Sequence, residues 1–303
     1  MPPEPPRSPA ARVLAVWIDG RAVTGERAAP VLAAGYTHGL GAFETFMIRG
    51  GRAYALDRHL ARLGRSAVIL GLPAPDPVEI ADVVAQAHRA SGSPSAARVR
   101  VQWAGFRPAG SWEGSSENPV DGAGRQAQLS VVLTAAGGEG ARTRPGGLDV
   151  VRSGWVRNER SPLVGAKTTS YAENLLLVRA ARGRGADEAL LANSRGDLCE
   201  GAFTNVFVER EPGFFVTPPA SSGCLPGIMR GLVLEWASTD KSDISEESMP
   251  FEILEENSTI LLSSAIRGLV PVLTLDGVQR PVSPSARRLV ADVQDRLARG
   301  DDS

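Results

Sequence analysis

The sequence predicts a mixed α/β (α+β) chain of two domains, and three observations carry that expectation. Its 303 residues are long for one core and ordinary for two, enough to bury roughly three quarters of the unfolded surface without disulfides or metals. Apolar runs of strand length, bounded by Asp-Gly and Gly-Gly turns, alternate with stretches whose apolar residues recur every three or four positions. The segment 137–147, GGEGARTRPGG, has no such periodicity. It reads as a linker between a small N-terminal α/β domain (11–136) and a larger C-terminal one (148–303). Residues 1–10, MPPEPPRSPA, are proline-rich and read as a disordered lead-in.

The elements follow in order. RVLAVWIDGRAV is a hairpin about Asp19-Gly20, and AFETFMIRGGRAYAL is a second one turning at Gly50-Gly51. In the latter, Phe43, Thr45 and Met47 alternate with Glu44, Phe46 and Ile48, so the strand is expected to be buried on both faces. Leu56–Leu70 reads as a helix with an apolar stripe of Leu56, Leu60, Leu63, Ala67 and Leu70. Arg58, Arg62 and Arg65 occupy another face, and His59, beside the stripe, reads as a packed residue. Pro77–Ser91 is a helix burying Ile80, Val83, Val84 and Ala87. Strands Ala97–Trp103 and Gln128–Ala135 flank a long polar stretch rich in Gly, Pro and Ser, which reads as a mobile lid. Strand Leu148–Val151 precedes a helix over Ser170–Arg184, whose shared face is expected to hold Tyr171, Leu175, Val178 and Arg182. Then come a hairpin of Ala189–Ala192 and Asp197–Glu200, a strand Asn205–Glu209, and a helix Gly227–Ala237. Strands Ile260–Ser263 and Val270–Leu275 and a helix Ser283–Ala298 complete the chain.

Composition narrows the function classes. The formal net charge is −1 with acids and bases mixed, which gives no electrostatic footprint for nucleic acid or a membrane surface. The two cysteines, Cys199 and Cys224, are too few for a disulfide scaffold, and no long apolar segment occurs, so the expected compartment is the cytoplasm. The three histidines have no metal-ligand spacing, and there is no Walker or dinucleotide glycine motif. Position 164 is Val, so no Ser-x-x-Lys ends at Lys167.

One lysine stands out. Lys167 follows the small-residue turn Gly165-Ala166 and is one of only two lysines, the other being Lys241. A surface lysine is the commoner outcome for such a position, but a lysine with small neighbours can be reached by a carbonyl, and desolvation lowers its pKa so that it can form a Schiff base. Glu200 ends an apolar run before Gly201-Ala202. An ordinary ion pair would explain it; so would a role facing a ligand, since a buried charge needs a partner. The amides of Gly227, Ile228 and Met229 open a helix, where free N–H groups and the dipole favour an anion.

Several blocks, in this order, resemble one family. They are HGLGAFETF (38–46), LDRHLARLGRSAVILGL (56–72), AKTTSYAENLLL (166–177), GADEALLANSRGDLCEGAFTNVF (185–207), TPPASSGCLPGIMRG (217–231) and LLSSAIRGLVPV (261–272). The chain resembles the class IV aminotransferases, the fold type IV pyridoxal 5′-phosphate enzymes, and most of all the 4-amino-4-deoxychorismate lyase-like branch. The resemblance implies a homodimer acting on a small amino substrate. It also implies a C-terminal domain with a mainly β core flanked by helices. Lys167 would carry the cofactor, and Glu200 would keep the pyridine nitrogen protonated so that the ring withdraws electrons. Arg62 and the Gly227–Met229 amides would hold the phosphate, helped by Ser264; Thr204 and Asn205 would touch ring or phosphate. Tyr171 would reach the lysine or the cofactor hydroxyl, a core tyrosine being the alternative. Arg107, with Arg100 in reserve, would take the substrate carboxylate, although the glycine- and arginine-rich motif common in family lyases is missing. The reaction implied is pyruvate elimination giving 4-aminobenzoate. Branched-chain, D-amino-acid or amine transamination is the alternative.

Overall fold

The computed structural model describes residues 13–18, 20–22, 39–105, 127–136, 146–240, 243–256 and 258–302. The lead-in, the expected lid at 106–126 and most of the linker lie outside the described residues. The first part opens with β1 (Val13–Ile18), β2 (Arg21–Ala22), β3 (Gly41–Arg49) and β4 (Arg52–Ala53). Helices α1 (Leu56–Ile69) and α2 (Pro77–Ala90) follow, then β5 (Ala96–Gly105) and β6 (Ala127–Ala135). These strands make one six-stranded antiparallel sheet in the order β2-β1-β6-β5-β3-β4.

Period-two alternation splits the strands cleanly. Phe46, Ile48, Val99 and Val101 face α1 and α2, where Leu60, Leu63, Ile80, Val83, Val84 and Ala87 cover them. Phe43, Thr45, Arg98, Arg100 and Gln102 take the other face, paired Thr45↔Arg100 and Phe43↔Gln102. Both faces of β3 are therefore buried, as its alternation predicts. Helix α2 starts on Asp76, whose carboxylate accepts the Val78 N–H at 2.8 Å with Pro77 in the first turn. Helix α1 has no cap of its own; the Ala55 N–H donates instead to Asp302, 247 residues away.

The second part contains β7 (Leu148–Arg152), α3 (Ala172–Gly183), β8 (Glu188–Ala192), β9 (Leu198–Gly201), β10 (Asn205–Glu211) and β11 (Phe214–Thr217). It continues through α4 (Ile228–Asp240), β12 (Ile244–Glu246), β13 (Ile260–Ser264), β14 (Gly268–Leu275), β15 (Val278–Gln279) and α5 (Pro284–Arg299). Their mixed sheet runs β12-β11-β10-β13-β14-β7-β8-β9, with β15 on β14. Val206 and Val208 of β10 point into one core with Leu148, Leu190 and Leu262. Phe207, between them, points into the other core with Leu232, Trp236, Leu261 and Leu297 from α4, β13 and α5. No helix among the described residues is long and apolar enough to cross a membrane.

Helix α3 departs from expectation. Its buried residues are Asn174, Leu177, Val178 and Ala181, while Leu175 and Leu176 are each 53% exposed. Three consecutive leucines leave the phase of a 3.6-residue pattern open. What fixes it is the small residue Ala181, which lets the helix close on Val151 and Ala189. Strands β11, β12 and β15 are two to four residues long, too short to leave a periodic signal.

The segment before α3 joins the first sheet at the start of β3. Thr168 bridges Ala42, the Phe43 N–H donates to the Lys167 carbonyl at 2.9 Å, and the Thr169 N–H donates to the Gly41 carbonyl at 2.7 Å. The Lys167 N–H donates to Ser66 Oγ on α1 at 3.0 Å. The predicted lysine is thus clamped between both halves by its own backbone.

Candidate active site

Lys167 leaves the left-handed turn at Gly165 (φ 82°) and extends its amine over aromatic rings. Nζ lies 4.5 Å from the Phe43 ring centroid, 5.1 Å from that of Tyr171 and 3.4 Å from Tyr171 Oη. Phe43 meets Tyr171 edge-on at 5.0 Å, and Tyr171 packs on Phe203 at 5.5 Å. Burial, then the Arg62 guanidinium and, less strongly, that of Arg100, lower the Lys167 pKa to about 7, with Glu44 and Glu200 pulling the other way. About half of the amine is therefore neutral at pH 7, far more than for an ordinary lysine. Burial raises the Tyr171 phenol, which stays protonated and able to donate.

Glu200 stands on β9. Its Oε1 accepts from Arg157 Nε at 3.1 Å, and its Oε2 accepts the Leu225 N–H at 2.9 Å. Burial pushes the Glu200 carboxyl up, and Arg157, the Leu225 N–H and Lys167 offset only part of that. A carboxyl so placed can hold or share a proton with a basic ring nitrogen.

The turn Leu225-Pro226-Gly227 leads into α4. Arg62, 3% exposed, donates from Nη1 to the Pro226 carbonyl at 3.0 Å. Its Nε and Nη2 both donate to Glu44, each at 2.7 Å. The Nε/Nη2 side of the guanidinium is thus occupied by a carboxylate, and the end of the group remains for a ligand. A Cβ on Gly227 would lie 1.9 Å from Asn205 Oδ1, so glycine alone lets the turn approach β10. Asn205 Nδ2 donates to the Leu225 carbonyl at 2.8 Å. The structure gives Asn205 the task of holding this turn. Met229 contributes its side chain to the core, leaving only its backbone at the turn. Ser264 Oγ accepts the Arg267 N–H at 3.2 Å, with its own proton uncommitted, and Thr204 Oγ1 is buried without a partner.

Arg100 stacks on Phe43, its guanidinium 3.9 Å from the ring centroid, and reaches Gln102 at 3.3 Å. Burial, with Arg98 nearby, lowers its pKa to about 10. A half-buried guanidinium with no carboxylate partner among the described residues suits an anionic ligand. It shares the Phe43 ring with Lys167. Arg107 lies outside the described residues.

Sequence reasoning missed Phe43, Ser66, Phe203, Glu44 and Arg157. Arg157 sits in an irregular stretch and is carried to Glu200 by its bridge to Asn193; no spacing announces it. Glu44 did leave a signal, being a charge within a strand buried on both faces.

The family model described as "Amino-transferase class IV" matches residues 41–275. The chain belongs to the class IV aminotransferase family. Within that family it is 27% identical over 264 residues to a protein of Mycobacterium tuberculosis called bifunctional aminodeoxychorismate lyase / D-amino acid transaminase, covering 82% of this chain and 86% of that one. It is 30% identical over 142 residues to the branched-chain-amino-acid aminotransferase of Escherichia coli K12, a match covering 46% of each chain. That match therefore spans about half the length of the relative. Among solved structures, a branched-chain aminotransferase from Thermoproteus uzoniensis with norvaline superposes with a TM-score of 0.81 at 26% identity, covering 96% of this chain and 97% of that one. A hypothetical aminotransferase from Mycobacterium tuberculosis in its PLP-bound form gives 0.77 at 25% identity, covering 95% and 99%.

Class IV aminotransferases use pyridoxal 5′-phosphate, and the residues present fit that group. The amine of Lys167, its pKa lowered by burial, suits its aldehyde and the buried carboxyl of Glu200 its ring nitrogen. The glycine turn into α4, with the free end of Arg62, suits its phosphate. Among the described residues no cluster could hold a metal ion.

Proposed function

We propose that this chain is a pyridoxal-phosphate enzyme of the 4-amino-4-deoxychorismate lyase type, eliminating pyruvate and leaving 4-aminobenzoate. The observation that carries the reading is the near-neutral amine of Lys167, set between the Tyr171 hydroxyl, the Phe43 ring and the Arg100 guanidinium. Bound there, the cofactor supplies an electron-poor ring that stabilises a carbanion. Lys167 holds the group and afterwards, free as an amine, takes the substrate proton. Tyr171 donates toward the lysine or the cofactor hydroxyl. Glu200, oriented by Arg157 and the Leu225 N–H, keeps the ring nitrogen protonated. Arg62, the amides of Gly227, Ile228 and Met229, and the hydroxyls of Ser264 and Thr204 take the phosphate, with Asn205 bracing the turn. Arg100 receives the substrate carboxylate, joined by Arg107.

Amino-group transfer is the second reading, favoured by the branched-chain relatives and by a relative named for both activities. It uses the same lysine to move the proton to a different carbon. We further propose a division into domains 11–136 and 148–303, a homodimer, and a cytoplasmic setting.

The test is direct. Purified protein given pyridoxal phosphate and reduced with borohydride should carry the cofactor on Lys167 by peptide mass spectrometry, and Lys167→Ala should not. Release of pyruvate and 4-aminobenzoate from aminodeoxychorismate then supports the lyase. Conversion of an amino acid to its keto acid, with no pyruvate released, would replace it with the transaminase.

A further inference from the structure

We infer that Glu44 and His59 are positioning residues that turn Arg62 so that only the end of its guanidinium faces an incoming phosphate. The inference rests on the reading of the α4 turn as the phosphate cup, and it concerns how that cup is built. Glu44 lies on β3, while His59 and Arg62 lie three residues apart on one face of α1. All three are buried, at 0%, 0% and 3% exposure.

The donors can be counted. A guanidinium has five N–H groups in a fixed plane. Arg62 gives Nε–H and one Nη2–H to the two oxygens of Glu44, and one Nη1–H to the Pro226 carbonyl. Five less three leaves two, on the two terminal nitrogens. Those two N–H groups remain for the oxygens of a phosphate. Had Glu44 been absent, the side-on edge would compete for the same anion, and the guanidinium could swing between two modes.

His59 completes the arrangement. Its Nδ1 is 2.7 Å from Glu44 Oε2, the oxygen that also takes Arg62 Nη2. Burial on its own raises the Glu44 carboxyl; Arg62 and His59 more than reverse this and hold it at about 2. An ionised carboxylate has no proton to give, so His59 must donate from Nδ1. Burial lowers the His59 pKa, which makes this the neutral Nδ1–H tautomer, with Nε2 buried and unpartnered. Glu44 therefore accepts three hydrogen bonds and supplies the charge that compensates Arg62 before any ligand arrives. Its role is to fix an angle, without touching the ligand.

Two ligands differing only by the phosphate separate positioning from mere structure. Equilibrium dialysis of the full chain, stripped of cofactor, against pyridoxal 5′-phosphate and against pyridoxal gives both dissociation constants. For Glu44→Gln we expect the phosphate form to bind about 10–100-fold more weakly, the scale on which partners behind a ligating group act at metal sites, with pyridoxal, which feels only the loss of the Glu44 charge near Lys167, changed far less. Glu44→Asp, which keeps the charge, should recover part of the loss. His59→Leu, which removes one neutral donor, should show a smaller loss with the same selectivity, and it serves if Glu44→Gln does not fold. Equal weakening of both ligands, or of neither, overturns the inference while leaving the cup intact. A wild type with no preference for the phosphorylated form overturns the cup itself, and the inference with it.

Discussion

Lys167 should titrate near pH 7, and the sequence makes this measurable because the chain has only one other lysine, Lys241. An ordinary lysine has a pKa of 10.5, whereas burial first, then Arg62 and Arg100, bring Lys167 to about 7. At pH 8 an amine of pKa about 7 is roughly 90% neutral and an ordinary one roughly 0.3%, a difference of about 300-fold in the reactive form. Trace acetic anhydride applied to the cofactor-free protein between pH 6 and 10, with peptide-resolved mass spectrometry, gives a separate curve for each lysine. The Lys167 curve should reach half its plateau near 7, against 10.5 for an ordinary lysine. Access affects the plateau rather than the midpoint, so a shielded amine still reports its pKa. In Arg100→Met the midpoint should move up yet stay below 10.5, because burial is the larger cause. A wild-type midpoint at or above 10 would refute both the desolvation argument and the placement of Lys167 among the rings. Stability follows with a definite sign. The unfolded lysine holds its proton between about 7 and 10.5 when the folded one does not, so this residue's penalty is complete below about 7 and fades as pH rises through that window.

Two further predictions test the frame around it. Gly227→Ala puts a Cβ against Asn205 Oδ1, whose amide is pinned to Leu225, and should cost about 1–3 kcal/mol of cofactor binding, roughly 5- to 150-fold in Kd; unchanged binding would show that the turn yields. Phe207→Ala removes a fully buried ring between β10 and α4 and should cost about 3–5 kcal/mol in urea unfolding; a loss below about 1 kcal/mol would contradict the packing.

Much of this was legible because local pattern and tertiary environment agree. Ile80, Val83, Val84 and Ala87 repeat at helical spacing and are buried as that spacing demands. Lys167 was visible through its scarcity and its small neighbours, and the turn before Ile228 through Pro226-Gly227. Where local pattern is ambiguous the structure decides, as with the leucines of α3, whose exposure depends on where the small Ala181 can dock. Arg157 could not be found at all. Its meaning comes from Glu200, 43 residues on, and no local rule connects them. Arg62 was recognised while its partner was not: the arginine lies in a readable helical block, whereas Glu44 pairs with it across a sheet–helix contact.

The clamp on α1 has a consequence for how the molecule is made. Ser66 meets Lys167 across 101 residues, Arg62 meets Pro226 across 164, and Tyr54 and Ala55 meet Asp301 and Asp302 across 247. Contacts so far apart in sequence carry a loop-closure cost and form slowly. During synthesis the six-stranded sheet with α1 and α2 can assemble early, yet Arg62 waits for Pro226 and the helix start waits for Asp302. A nascent chain that has not reached Pro226 therefore lacks the brace on Arg62, and one that has not reached Asp302 lacks the bond that holds the start of α1.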